Sequence, residues 1–258
     1  MSQPDIRILA DGEELCRVAA EEFVRLADEG VRARGRFAVA LSGGSTPKAL
    51  YRLLACERGG SRERVPWGHI HVFWGDERHV PPDHPDSNFR MAYEAMLSRV
   101  PIPPSNVHRI PAENPDAGRV AEEYARTLRE FFGLAGGQLP RFDLILLGLG
   151  SDGHTASLFP RTDAADEPTR LAAAPWVEKL NAHRITLTPP VLNNAAHVIV
   201  LVSGEEKAET LRAVLEGEYQ PDRFPAQVVR PVDGRLVWMV DRAAARLLRL
   251  PGQRGSNT

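Results

Sequence analysis

Five short apolar runs punctuate the chain: Phe37–Leu41, Ile70–Trp74, Phe142–Leu147, His197–Val202 and Leu236–Val240. The most apolar of them are continuous rather than alternating, the pattern of strands covered on both faces. Between the runs, apolar residues recur at helical spacing. Leu15, Val18, Ala19, Phe23 and Leu26 form one amphipathic face, and Phe89, Ala92, Tyr93, Met96, Leu97 and Val100 another. Val120, Tyr124, Leu128 and Phe131 form a third, and Ala208, Leu211 and Leu215 a fourth. Strands alternating with helices predict an α/β protein, a mostly parallel sheet between two helical layers. Pro/Gly-rich stretches at Val80–Pro85, Val100–Pro104 and Gly133–Pro140 read as loops. Arg161–Pro175 reads either as a mobile loop or as a short helix. No internal repeat or linker divides the chain, so one domain is expected over residues 1–250, followed by a disordered tail over 251–258.

Bulk properties narrow the partners. The chain has 258 residues, 43% hydrophobic and 26% charged, which suits a globular domain. A net charge of −2 gives no electrostatic case for nucleic acid or an anionic membrane. No apolar run approaches the ~20 residues that span a bilayer, and the N-terminus lacks the basic and apolar regions of a signal peptide. Cys16 and Cys56 have no metal spacing and read as reduced thiols of a cytoplasmic protein.

Parallel strands end at one sheet edge, where open α/β folds bind ligands. Four predicted strands are followed at once by unusual polar loops. Ser42-Gly43-Gly44-Ser45-Thr46-Pro47-Lys48 offers backbone and hydroxyl donors, with Pro47 suited to a first helical turn. Its spacing is not that of a Walker A loop; its bland reading is a tight turn into a capped helix. Gly75-Asp76-Glu77-Arg78-His79-Val80 puts ionisable groups at a strand end, which read as site residues or as a surface salt-bridge cluster. His79, Asp83, His84 and Asp86 carry metal-ligating atoms, but nothing in their spacing specifies convergence, and no metal is expected. Ser203-Gly204-Glu205-Glu206-Lys207 brings a lysine into the first turn of a helix, where the dipole disfavours it unless an anion binds. A lysine snorkelling at the surface is the alternative.

The fourth loop is Gly148-Leu149-Gly150-Ser151-Asp152-Gly153-His154-Thr155, after the strand Leu144-Ile145-Leu146-Leu147 and before a stretch, Thr155 to Phe159, that could begin a helix. Its glycines fit G-x-G-x-x-G, the dinucleotide fingerprint. Three points oppose that reading: Asp152 would repel a pyrophosphate, no acid stands at a following strand end to hold a ribose, and the loop lies mid-chain. A structural histidine is the other bland reading. The favoured one makes His154 a base or proton shuttle, oriented by Asp152 or Asp76. Together the loops suit a phosphorylated polar substrate with a general base.

At these residues the sequence resembles the 6-phosphogluconolactonases. The resemblance rests on Leu147 to Pro160, Leu41 to Pro47, Trp74 to Pro81, Asp86-Ser87-Asn88-Phe89 and Arg184-Ile185-Thr186-Leu187-Thr188. It runs in order from about Leu15 to Val240. One departure is local: the family often has prolines just before the Arg184 segment, whereas this chain has Leu180-Asn181-Ala182-His183. The resemblance implies a NagB-like, Rossmann-related three-layer α/β/α fold. It implies hydrolysis of 6-phospho-D-glucono-1,5-lactone, the second step of the oxidative pentose phosphate pathway, without metal or organic cofactor. His154 would be the base, with Asp152, Asp76 and Arg78 around the reacting centre. Ser42, Gly43, Gly44, Ser45, Thr46, Arg184 and Lys207 would hold the phosphate. A small-molecule substrate is the expected partner, and the expected assembly is a monomer or weak homo-oligomer.

Two alternatives stay open at this point. A glucosamine-6-phosphate deaminase or sugar-phosphate isomerase would share the fold, but those relatives typically carry Asn-Gly-His and Asp-Glu-Tyr where this chain has Asp152-Gly153-His154 and Asp76-Glu77-Arg78. A non-catalytic sugar-phosphate sensor would need a DNA-binding module, for which the chain has no room.

Overall fold

A computed structural model describes residues 5–57 and 61–249. The expected disordered tail, 251–258, lies outside them. Ten strands are present among the described residues: β1 Asp5–Leu9, β2 Phe37–Leu41, β3 Ile70–Trp74, β4 Asp76–Arg78, β5 Leu144–Gly148, β6 Ala172–Ala173, β7 Trp176–Val177, β8 Ala182–Leu187, β9 His197–Val202 and β10 Arg235–Asp241. Six of them build a parallel sheet in the order β1-β10-β9-β5-β2-β3. All five residues of β2 are buried, as a continuous apolar run requires when helices cover both faces. Each large apolar side chain so buried contributes roughly 1.5–3 kcal/mol relative to exposure.

The winding of this sheet positions the site. The chain passes from β2 to β3 on one side, then returns to β5 on the other side of β2. That reversal opens a crevice beyond the carboxyl ends of β2 and β5. The loops entering it are Ser42 to Thr46 and Gly148 to His154.

The sheets differ from the sequence reading in two respects. Strand β1 went unseen, because Asp5 and Arg7 interrupt its apolar residues and it is an edge strand, paired only with β10. A second sheet, β4-β8-β6 with β7 pairing β8, stands beside the first; its pairs are antiparallel. Strands β4, β6 and β7 are two or three residues long, too short for periodicity to reveal, and β8 places His183 and Arg184 in its first half, so it lacks a continuous apolar run.

The four expected amphipathic faces lie on helices Gly12–Arg34, Asn88–Ala95, Ala117–Phe132 and Ala208–Glu216. The second is shorter than its apolar pattern. Met96 leaves the helical conformation at φ −141°, and a tight 3-10 turn, Leu97–Arg99, continues the face. Residues 161–175 are neither a plain loop nor an α-helix. A 3-10 turn, Asp163–Asp166, leads into β6, and the Glu167 carboxylate ties the intervening chain. Thr155 to Phe159 does not begin a helix. Ala156 adopts φ +47° and Thr155 bridges to Leu158, so the chain turns back on itself.

Candidate active site

The polar loops meet in a cavity of about 280 Å³ at the carboxyl edge of the large sheet. Its lining is drawn from the loop Ser42 to Pro47, from Ser203, Glu206 and Lys207 after β9, from Gly148 to Gly150, His154 and Ala156 after β5, and from Asp76, Arg78 and Asn88. This volume lies at the small end for ligand pockets and suits a compact polar molecule rather than a dinucleotide.

Helix Ser45–Leu54 points its N-terminus into the cavity. Gly44 is its N-cap, at φ +103° with no side-chain cap. That conformation is open to glycine and strained for other residues. The first-turn N–H groups therefore keep no internal partner and carry the positive end of the helix dipole. Pro47 has no N–H to leave unpaired. Upstream, the buried hydroxyl of Tyr51 accepts from Ser42 N at 2.9 Å and donates to Ser42 O at 2.8 Å, fixing the loop's entry. Burial pushes the Tyr51 phenol far above its ordinary range, so it remains a neutral clamp.

Lys207 lines the same cavity as this helix end. It closes a 3-10 turn, Glu205–Lys207, immediately before helix Ala208–Glu216. Its ammonium forms no ion pair with any described residue. A lysine at the start of a helix, without a carboxylate partner, suits an incoming anion better than it suits a structural tie.

His154 is part of the cavity lining. Its Nδ1 lies 2.5 Å from Asp152 Oδ1, and the ring stacks on Phe159 at 4.2 Å between centroids. An ionised carboxylate only accepts, so Nδ1 carries the proton and Nε2 is left as the acceptor. Burial alone would raise the Asp152 carboxyl. Hydrogen bonds from His154 and Lys179 outweigh it and hold Asp152 well below the usual carboxylate range. The glycines serve this arrangement. Gly150 N donates to His154 O at 2.8 Å and Gly153 N to Gly150 O at 3.0 Å, so these amides are spent inside the loop rather than offered to a pyrophosphate.

The β3–β4 segment supplies the remaining charge. Asp76, 8% exposed, accepts from Ser157 Oγ at 2.7 Å and from Asn88 Nδ2 at 3.4 Å. It therefore braces the loop beyond His154, and the residue that orients His154 is Asp152. Glu77 turns away from the cavity. Its carboxylate accepts from Ser87 Oγ and from the amides of Arg78, Asn88 and Phe89, at 2.6 to 3.1 Å, tying down the start of helix Asn88–Ala95. Arg78 lines the cavity, and its guanidinium donates to Asp86 O at 2.6 Å. Arg184 sits opposite Arg78 in the β4–β8 pair and is not part of the cavity wall. Burial, then the charge of Arg78, lowers the guanidinium of Arg184 from its ordinary value.

His79 and His84 do not converge. His79 Nε2 meets Asn114 O at 2.7 Å, whereas His84 accepts from Asp86 N in its own turn. Among the described residues no group of three His, Cys, Asp or Glu side chains could hold a metal ion. Sequence reasoning did not single out Asn88, Ser157, Phe159, Glu206 or Lys179 as site residues. Asn88, Ser157 and Phe159 stand inside the recognisable motifs, but only the folded geometry gives them partners.

An uncapped helix end, a lysine without a carboxylate partner and a histidine paired with Asp152 line one small cavity, a set of groups suited to a compact anionic ligand. The profile of the family described as glucosamine-6-phosphate isomerases/6-phosphogluconolactonase matches residues 10–238, and the chain belongs to that family. It is 42% identical over 246 residues to the 6-phosphogluconolactonase of Synechocystis sp., covering 95% of this chain and 99% of that one. It is also 42% identical over 228 residues to the 6-phosphogluconolactonase of Homo sapiens, covering 87% and 85%. Among solved structures, the 6-phosphogluconolactonase from Trypanosoma cruzi superposes with a TM-score of 0.85 at 32% identity, over 97% of this chain and 99% of that one. A monomeric glucosamine-6-phosphate deaminase shares the fold, with a TM-score of 0.73 at 22% identity.

Proposed function

We propose that this chain hydrolyses 6-phospho-D-glucono-1,5-lactone to 6-phospho-D-gluconate, the second step of the oxidative pentose phosphate pathway. The observation that carries the reading is one cavity lined by the Asp152-held imidazole of His154, the uncapped end of helix Ser45–Leu54 and Lys207. The two sets of groups match the two chemistries of the substrate, a phosphate and a lactone.

In this reading the phosphate rests on the N–H groups of Gly43, Gly44, Ser45 and Thr46 and the hydroxyls of Ser42, Ser45 and Thr46, with Lys207 as counter-charge. Arg184 adds positive field from behind Arg78. Anchoring the far end converts binding energy into orientation at C1. A lactone is an activated ester, so water can attack without a covalent nucleophile. His154 Nε2 takes a proton from that water as its oxygen bonds to C1. The carbonyl oxygen becomes an oxyanion, facing the charge of Arg78. When the intermediate collapses, the C1 to ring-oxygen bond breaks and the imidazolium returns its proton to the departing ring oxygen. Asp152 stays ionised and steadies the imidazolium. Acid–base help of this kind contributes about 10²–10⁴-fold, and an oxyanion donor about 10²–10³-fold.

The reading extends to a cytoplasmic enzyme, a monomer or weak homo-oligomer, that needs no metal or organic cofactor. The test is proton release from freshly generated lactone, measured above spontaneous hydrolysis, with enzyme dialysed against a chelator. Ammonia release from glucosamine 6-phosphate instead would assign the chain to the deaminase arm of its family.

A further inference from the structure

The hairpin where this chain departs from the common family pattern carries a residue that touches the catalytic pair. Strands β7 and β8 pair Trp176 with His183 and Val177 with Ala182. The connection is a 3-10 turn, Glu178–Leu180, closed by Asn181 at φ +47°, whose amide bonds Glu178 O at 3.0 Å. Asparagine is among the residues that adopt this conformation most readily, and a proline would be excluded from it. The turn projects Lys179 over the His154 loop. There its ammonium pairs with Asp152 Oδ2, while Asp152 Oδ1 meets His154 Nδ1. The same ammonium lies 4.7 Å from the centre of the Phe159 ring, which also stacks on His154.

We propose that Lys179 is a positioning residue for His154. It occupies the second oxygen of Asp152 and clamps Phe159, so the imidazole holds one ring orientation and one tautomer, with Nε2 free toward the cavity. Lys179 touches neither the cavity nor the reacting atoms; it acts through Asp152 and Phe159. The other charged groups around the cavity that His154 lines are Asp76 and Arg78 from β4, and Glu206 and Lys207 from the turn after β9. None of these is hydrogen-bonded to Asp152, so none substitutes for Lys179. The side chain of Lys179 is half exposed, which limits the strength of the pair and leaves the fold indifferent to its loss.

This inference rests on the proposed role of His154 as base, and the experiment separates the two. Lys179→Met keeps the length and loses the charge; Lys179→Arg keeps the charge. Two quantities are measured in each variant and the parent: kcat and KM on fresh lactone, and the ¹⁵N histidine spectrum, which reports the His154 tautomer without any turnover. Lys179→Met is expected to lower kcat about tenfold with KM within twofold, and to mix the tautomers of His154. Lys179→Arg is expected to restore both. An unchanged His154 spectrum in Lys179→Met overturns the proposal. A mixed tautomer with kcat unaltered leaves Lys179 as the holder of the imidazole and overturns instead the assignment of His154 as base.

Discussion

Gly150 lies directly against the imidazole of His154: a methyl group on its α-carbon would overlap Nδ1 and Cε1 of the ring and stand 2.7 Å from Asp152 Oδ1. The close approach is what lets Asp152 and His154 pair two residues apart within one tight loop. Gly150→Ala should therefore push the ring off Asp152. Turnover is expected to drop by roughly two orders of magnitude or more, since a small misplacement near the chemistry is that costly. Affinity for 6-phosphogluconate, measured by calorimetry, should stay within a few-fold, because the phosphate loop is untouched. A variant with near-normal turnover would detach the glycine from catalysis.

His154→Ala tests the base itself. Turnover is expected to fall about 10²–10⁴-fold, with binding of the product largely intact. Asp152→Asn should cost a comparable factor with the ring still in place. A carboxamide can present N–H to Nδ1 and so favour the tautomer whose proton sits on Nε2, where a base needs a lone pair. Near-normal turnover in either variant, measured by proton release on fresh lactone, removes that residue from the mechanism.

Much of this site was legible in the sequence because it is built from strand ends. The apolar runs that became β2, β3, β5 and β9 are continuous, so their ends were sharp, and the polar residues just beyond them had one place to go. Gly43, Gly44, His154 and Lys207, which line the cavity, and Asp152, which pairs with His154, stand just beyond such ends. Strands β1, β4, β6, β7 and β8 were not legible, being strands with interspersed charge or segments too short to carry a period. Arg184 shows the same limit in the site. Its motif was clear, but only the antiparallel register with β4 sets it against Arg78 rather than in the cavity wall. Lys179 had no signal at all, because its partners Asp152 and Phe159 are distant in sequence and meet it through the turn at Asn181.

Lys207→Ala should separate binding from chemistry in the opposite sense to His154→Ala. A charge-assisted contact to phosphate, flanked by a helix end that stays in place, is worth about 1.5–3 kcal/mol. The expected outcome is a loss of affinity for 6-phosphogluconate of about 10–100-fold, with the loss shrinking at high salt. Unchanged affinity by calorimetry would remove Lys207 from the anchor.

Glu167 supplies a prediction about stability and pH that leaves the catalytic residues alone. Its carboxylate accepts from Thr169 N at 2.9 Å, Arg170 N at 2.8 Å and Arg170 Nε at 2.6 Å, holding the chain between the Asp163–Asp166 turn and β6. Burial opposes its charge, but the amides of Arg170 and Thr169 and the guanidinium of Arg170 prevail, and its pKa falls to about 2. A carboxyl that binds protons more weakly in the folded state than in the unfolded one stabilises the fold once the unfolded carboxyl has ionised, above about pH 4.3. That contribution drains away as pH falls from there toward 2. Because Arg170 reaches solvent, its size is about 1–2 kcal/mol rather than the full value of the shift. Glu167→Gln should accordingly lower the Tm by a constant few degrees between pH 5 and 8, roughly 2–4 °C per kcal/mol for a chain of this size. The gap between parent and variant should then narrow steadily below about pH 4.5. A Tm difference that stays the same down to the acid limit of the fold would mean that Glu167 contributes through shape alone, and its ionised hydrogen bonds nothing.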